Sequence, residues 1–170
     1  MTIVRHADPH ETETAIDVWR AANPDSRLEQ HPDRLRRWSS ERGAHVHVAV
    51  DQDRVIGMVL SVLGRADDGA GEVVPGLRHL IGLAVAPTRR REGVARRLVC
   101  AVIDEARREA CEWVRLWVHA DNAAAKRLFE SVGFRATGRS ELDDGGTETS
   151  QMELSLVRDA RGRSHSTRAR

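Results

Sequence analysis

Tyrosine does not occur in this chain, and lysine occurs once, at Lys126. The first absence removes the phenol hydroxyl as a proton donor. The second removes the P-loop, whose GxxxxGK[ST] turn places a lysine on the phosphates. Positive charge is carried almost wholly by arginine, a mark of base-composition bias rather than of a design for phosphate forks. Cysteine is scarce too. Cys100 and Cys111 match no zinc or redox spacing, so they read as reduced thiols on or beside a helix, in keeping with a cytoplasmic protein. No apolar run approaches bilayer-spanning length, and "MTIVRHADPHETE" lacks the basic-then-apolar pattern of a secretory signal, so no membrane association is expected. A net charge of +1 and the lack of a basic–aromatic patch give no support to nucleic-acid binding.

What is present is the length for one domain, 170 residues, with two periodicities in it. "TIVRHA" reads as a strand stopped by Asp8-Pro9, a good helix start. Ala15, Ile16, Trp19 and Ala22 then recur at helical spacing up to Asn23-Pro24, and "HPDRLRRWSSERG" fits a second helix with Leu35 and Trp38 on one face. At "HVHVAV" and "RVIGMVLSVLG" the period becomes two, with Asp51-Gln52-Asp53 between them as a hairpin turn. "RADDGAGEVVPGLR" reads as a polar, glycine-rich loop. "HLIGLAVAP" is a strand, followed by a helix from about Gly93 to Ala110 that buries Val94, Leu98, Val99, Val102 and Ala106. "WVRLWVHA", the helix "NAAAKRLFESV" with Gly133 as its terminator, and the strands "RATGRS" and "SQMELSLV" complete the order. The expectation is a mixed α/β domain over residues 1–157, with about seven strands and helices on both faces. Residues 158–170, "RDARGRSHSTRAR", should form a basic disordered tail.

One stretch carries chemistry. In "APTRRREGVARRLV" three arginines precede a glycine that opens an apolar helix, where Ser, Thr, Asp or Asn is the usual cap. A strand that turns into a helix aims several unpaired N–H groups at one spot, and the helix dipole adds positive charge there. Removing side chains at Gly93 and Ala95 lets an anion approach, and the arginines add charge at the rim. The dinucleotide fingerprint GxGxxG fails for want of glycines. The pattern that fits is [RQ]-x-x-G-x-[GA], met by Arg90, Arg91, Glu92, Gly93, Val94 and Ala95.

With that pattern the chain resembles the GCN5-related N-acetyltransferase (GNAT) superfamily, which holds the pyrophosphate of acetyl-coenzyme A in such a turn. "LAVAPTRRREGVARRLV" is similar to the family's fourth strand and central helix, and "LWVHADNAAAKRLFESVGF" to its fifth strand and following helix. "TGRSELDDGGTETSQMELSL" is similar to its closing hairpin, so the likeness spans residues 2–157. It implies a mostly antiparallel sheet splayed between strands 4 and 5, with the cofactor's pantetheine arm along the backbone of Leu83, Ala84 and Val85. It further implies pyrophosphate on the amides from Arg91 to Arg96. Asn122 would cap its helix and also bond the pantetheine arm.

The chemistry implied is transfer of acetyl from acetyl-CoA to an amine, without a metal. Relatives commonly carry a tyrosine seven residues after the asparagine to protonate the leaving thiolate; this chain has Phe129, which would wall the thioester pocket. A lysine-like amine of pKa about 10.4 is only about 0.04% neutral at pH 7, so a base is needed. Many relatives have a glutamate where this chain has His79, and a histidine suits a base near neutral pH. His119 and Glu72 are rivals for that role. His45 and His47 alternate on one strand face but have no third ligand at metal spacing, and read as structural. Trp113 and Trp117 share a strand face and are expected to pack a helix. The acceptor, a small-molecule amine or a peptide or protein amine, is not legible, because the segments that would bind it vary freely on this fold. A CoA-binding module without efficient catalysis, an accessory subunit and a homodimer are each compatible with the sequence.

Overall fold

The computed structural model of the protein describes residues 1–24, 31–67, 71–143 and 145–157. The tail reading for residues 158–170 lies outside them. In chain order the elements are β1 (Ile3–His6), α1 (Thr12–Ala22), α2 (His31–Ser39), β2 (His45–Asp51), β3 (Arg54–Arg65), β4 (Val73–Val85), α3 (Val94–Arg108), β5 (Trp113–His119), α4 (Ala123–Ser131), β6 (Arg135–Leu142) and β7 (Glu148–Ser155). They form one seven-stranded sheet in the order β1-β2-β3-β4-β5-β7-β6. Every neighbouring pair is antiparallel except β4 and β5.

The two sheet faces carry separate cores, which follows from the period-2 strands and the apolar helix stripes. On one face Ala15, Ile16 and Trp19 of α1 and Leu35 of α2 pack on Val48, Met58, Leu60 and Val62. On the other, Val94, Leu98, Val99, Val102, Ile103 and Ala106 of α3 meet Ala49, Val59, Leu80, Val114 and Leu116, with Phe129 of α4 at the edge. Each fully buried Val, Leu or Ile contributes about 1.5–3 kcal/mol of transfer free energy, so α3 is among the best-anchored elements. The β2–β3 turn has Gln52 and Asp53 at φ 47° and 60°, the left-handed pair that matches the twist of a two-residue hairpin.

Two expectations need correction. The loop read over "RADDGAGEVVPGLR" is strand from Val73 onward. Arg65 pairs with Val73 and Leu63 with Arg78, so residues 74–77 bulge out of the β3–β4 ladder. Pro75 and Gly76, which look like breakers, sit inside that bulge, and the Gly76 carbonyl accepts the Glu112 N–H at 2.7 Å. Arg78 emerges from it fully buried, donating from Nη1 to the Gly43 carbonyl at 2.6 Å and from Nη2 to the Glu109 carboxylate. The second correction concerns the β5 tryptophans. Val114, Leu116 and Val118 take the helix-covered face. Trp113 is therefore turned outward, 39% exposed, and Trp117 lines an open cleft.

Candidate active site

β4 and β5 run together only briefly, through the pairs Leu77–Trp113, Arg78–Val114 and His79–Arg115. Beyond His79 the two strands part: Ala84 and Val85 keep β3 on one side, and the other edge of β4, from Leu83 to Val85, has no β5 partner. A second bulge drives this. Met58 pairs with Ala84 and Leu60 with Ile81, so Gly82 and Leu83 are squeezed into one ladder step. Gly82 has φ +64°, and a Cβ there would lie 2.7 Å from Leu35 Cδ2, so glycine serves both the bend and the close approach of α2.

The opening is a cavity of about 420 Å³. His79, Leu83, Trp117, His119, Asn122 and Phe129 line its sheet side. Trp19, Leu35 and Trp38 of the first two helices close it from above, and Glu41, Glu141 and Asp143 bring carboxylates to it. His79 is buried and His119 half-exposed, with its Nε2 3.6 Å from Asp143 Oδ2. The structure therefore brings two of the three base candidates into one cleft. Glu72 is exposed and does not line it. Phe129 is 4% exposed, edge-on to Phe134 at 5.6 Å between centroids, so its ring belongs to the core and only borders the cleft. Asn122, which lines the cleft, caps α4 by accepting the Ala125 N–H on Oδ1 at 3.0 Å, so the cap uses its carbonyl oxygen and not its NH2 donors.

At the far end of the gap the chain leaves β4 through a short 3-10 turn, Pro87–Arg89, and enters α3. Arg91 (φ 66°) and Gly93 (φ 75°) are both left-handed, an uncommon conformation for an arginine. Gly93 is the N-cap and supplies no side-chain bond, so the first-turn amides of α3 keep the unused donors of a bare helix start. A Cβ on Gly93 would meet nothing within 4 Å: the space in front of this turn is open. Ala95, by contrast, packs its methyl against the core.

The cationic rim is smaller than the run of arginines suggests. Arg89 is engaged by Asp51 at 2.9 Å and by Glu92 at 2.9 Å. Arg90 donates to the Ala22 carbonyl and Arg96 to Ser131 Oγ. Arg91, exposed, has no such bond among the described residues.

Two features escaped the sequence reading. Gly82 was legible as a glycine inside an apolar strand, a bulge signal. The other lies on the opposite sheet face, where His6, Glu105 and Glu109 join His45 and His47. Burial pushes the His47 imidazole down to about 4, with the neighbouring His6 adding to the effect.

A β4–β5 gap beside an uncapped, left-handed helix start is an arrangement for one extended ligand with an anionic end. The Acetyltransferase (GNAT) family profile matches residues 12–134, and the chain belongs to this family. It is 35% identical over 98 residues to mycothiol acetyltransferase of Kocuria rhizophila, covering 57% of this chain and 31% of that protein. It is also 35% identical over 105 residues to human N-acetyltransferase 8, covering 59% of this chain and 43% of that protein. The chain thus spans less than half the length of these curated relatives. In fold it matches the ribosomal-protein-S18-alanine N-acetyltransferase of Escherichia coli (TM-score 0.74, 19% identity, 96% of this chain and 99% of that one). It also matches yncA of Salmonella typhimurium, solved with acetyl-CoA (TM-score 0.73, 24% identity, 94% and 96%). At such identities these structures speak for the fold alone. Among the described residues no helix is long and apolar enough to cross a membrane.

Proposed function

We propose that residues 1–157 are an N-acetyltransferase domain that moves acetyl from acetyl-CoA to a primary amine by direct attack on the thioester. The observation that carries this is that β4, whose edge borders the β4–β5 gap, leads through the short turn Pro87–Arg89 into the uncapped, open start of α3. Acetyl-CoA supplies the activated acyl group. The site fits it on three counts among the described residues: a strand edge at Leu83–Val85 with no β5 partner, a start of α3 that no side chain caps, and open space before Gly93. In this reading the amides of Arg91–Arg96 hold the pyrophosphate, with Arg91 as the available side chain, and Glu92 is neutralised by Arg89. Asn122 keeps Oδ1 on its cap and donates its amide N–H to the pantetheine arm.

His79 takes the proton of the incoming amine, directly or through water; its place inside the cleft beside β5 supports that role over Glu72. His119, tied to Asp143, is the rival. Three indoles and three carboxylates, set against Arg34 and Arg65, line the opening and favour an acceptor with a cationic amine on an apolar body, small molecule or peptide alike. Phe129 favours a second reading, a protein that binds acetyl-CoA and transfers slowly. A panel of amines with acetyl-CoA, read by released thiol, tests both. Amine-dependent release supports the transferase. Acetyl-CoA binding with no release for any amine favours the binding module.

A further inference from the structure

His6, His47 and Glu105 meet between three elements that are remote in sequence. His6 ends β1 and sits directly across from His47 in the β1–β2 ladder, so the two rings share one face, 4.2 Å apart between centroids and tilted by 34°. Glu105, from the last turns of α3, approaches from above with Oε2 3.0 Å from His6 Nε2. One ligand atom from each of the three lies within 4.8 Å of the others. His47 is 2% exposed, and its Nδ1 has no hydrogen-bond partner among the described residues. A buried imidazole nitrogen left without a partner is costly unless something occupies that place in the working protein.

We infer that His6, His47 and Glu105 form a binding site for one divalent transition-metal ion, of the zinc, nickel or cobalt type. Two imidazoles and one carboxylate are a donor set that zinc accepts with water as the fourth ligand. Hard cations such as magnesium and calcium prefer all-oxygen sites and are excluded by it. Tetrahedral bonds of about 2.0–2.1 Å put ligand atoms about 3.3 Å apart. The His6–Glu105 contact is already at that scale, and His6, whose side chain is 52% exposed, has room to rotate. Moving the His6 proton to Nδ1 presents the Nε2 lone pair without changing the charge of the ring. The exposed side of His6 gives the ion its entry and the water its place.

The charges facing the site set the choice between two overlapping groups. Arg108 donates to Glu105 Oε2 at 2.7 Å and competes for part of its charge. His45, Glu105 and Glu109 satisfy the same distance test, but Glu109 is already engaged by His45 at 2.6 Å and by the buried Arg78. An ion there would have to unseat that pair. The site at His6 would not. It would tie β1 and β2 to the C-terminal end of α3, away from the cleft.

Tag-free protein, stripped with chelator and dialysed against Zn²⁺, tests this by ion stoichiometry and melting temperature. The expected result is one tightly held ion per chain and a higher melting temperature with Zn²⁺, but not with Mg²⁺. His6→Asn, on an exposed residue, should fold normally and weaken binding at least ~10-fold, the lower end of the cost seen even for residues that only support a ligand. Glu105→Gln should do the same. His10→Gln, in a separate group with Asp8 and Glu11, should change nothing. No binding by the wild type, or binding that survives both His6→Asn and Glu105→Gln, overturns the inference. So does loss of binding in His10→Gln. Acetyl transfer does not enter these readouts.

Discussion

The two ends of α3 are opposite in kind. At the N-terminal end the backbone is left-handed at Arg91 and Gly93, the cap is bare, and open space lies in front of it. At the C-terminal end His6, His45, His47, Glu105 and Glu109 crowd together, and the buried Arg78 is locked to Glu109. The helix dipole adds to each, positive at the first end and negative at the second. One end therefore offers unused donors in a positive potential, the other charged groups already paired with one another. Between them lies a stripe of six side chains, each at most 5% exposed, which keeps the ends a fixed distance apart. A well-packed helix can thus offer a ligand its start only because its end and its body are satisfied by the protein itself.

Substitutions that separate binding at α3 from chemistry in the cleft sharpen this contrast. The largest effect is expected for His79→Ala: a ~10²–10⁴-fold fall in kcat/KM with a changed pH profile of activity. Its acetyl-CoA-induced melting shift should stay. A variant with the wild-type pH profile would move the base to His119 or to water. Next comes Phe129→Tyr, which should raise the single-turnover rate by up to ~10²-fold while KM for acetyl-CoA barely moves, because the gain exists only in the transition state. An unchanged single-turnover rate in a folded variant would show that the leaving thiolate takes its proton elsewhere, most simply from water.

The satisfied end responds in stability instead. Glu109→Gln leaves the buried Arg78 guanidinium short of its counter-charge and should cost about 1–3 kcal/mol in denaturant unfolding, with no change in acetyl-CoA affinity. A loss of cofactor binding alongside it would mean that the two ends are coupled. The smallest effect is at Glu11, whose carboxyl is held at about 2 by the Arg5 hydrogen bond and then the Asp8 backbone N–H. Its folded value lies below the ordinary 4.5, so its stabilisation is complete above that pH and is lost as pH falls from there through about 2. The Arg5 partner is 40% exposed and the pair is screened, so Glu11→Gln should flatten the acid limb of the stability curve by less than about 1 kcal/mol. A steeper acid limb in Glu11→Gln would contradict this.

The start of α3 was readable because its parts are contiguous: one turn, residues 90–95, with strand before and helix after. Element order was readable for the same reason, since apolar periods of 2 and 3.6 are local signals. The beginning of β4 was not, because Pro75 and Gly76 look like loop punctuation unless the bulge that holds them is known. Period alone told that Trp113 and Trp117 share a face, but not that α3 and α4 would cover the other one. The histidine cluster was hidden most deeply. "HVHV" showed two of its rings, while His6 and Glu105 arrive from β1 and α3 through pairings that no spacing encodes. Position 129 shows the converse case: the missing hydroxyl was plain in the sequence, and only the structure shows how deep in the core the ring sits.

The central claim is that the bare start of α3 holds the pyrophosphate of acetyl-CoA. It is tested most directly by thermal unfolding of the wild type and Gly93→Asp with and without acetyl-CoA. At a hundredfold excess over Kd the wild type should gain about 2.7 kcal/mol, or ~5–10 °C for a chain of this size. In Gly93→Asp a side chain and a negative charge fill the open space, and the shift should vanish while the circular dichroism spectrum stays native. An unchanged shift in folded Gly93→Asp would contradict the assignment of this turn.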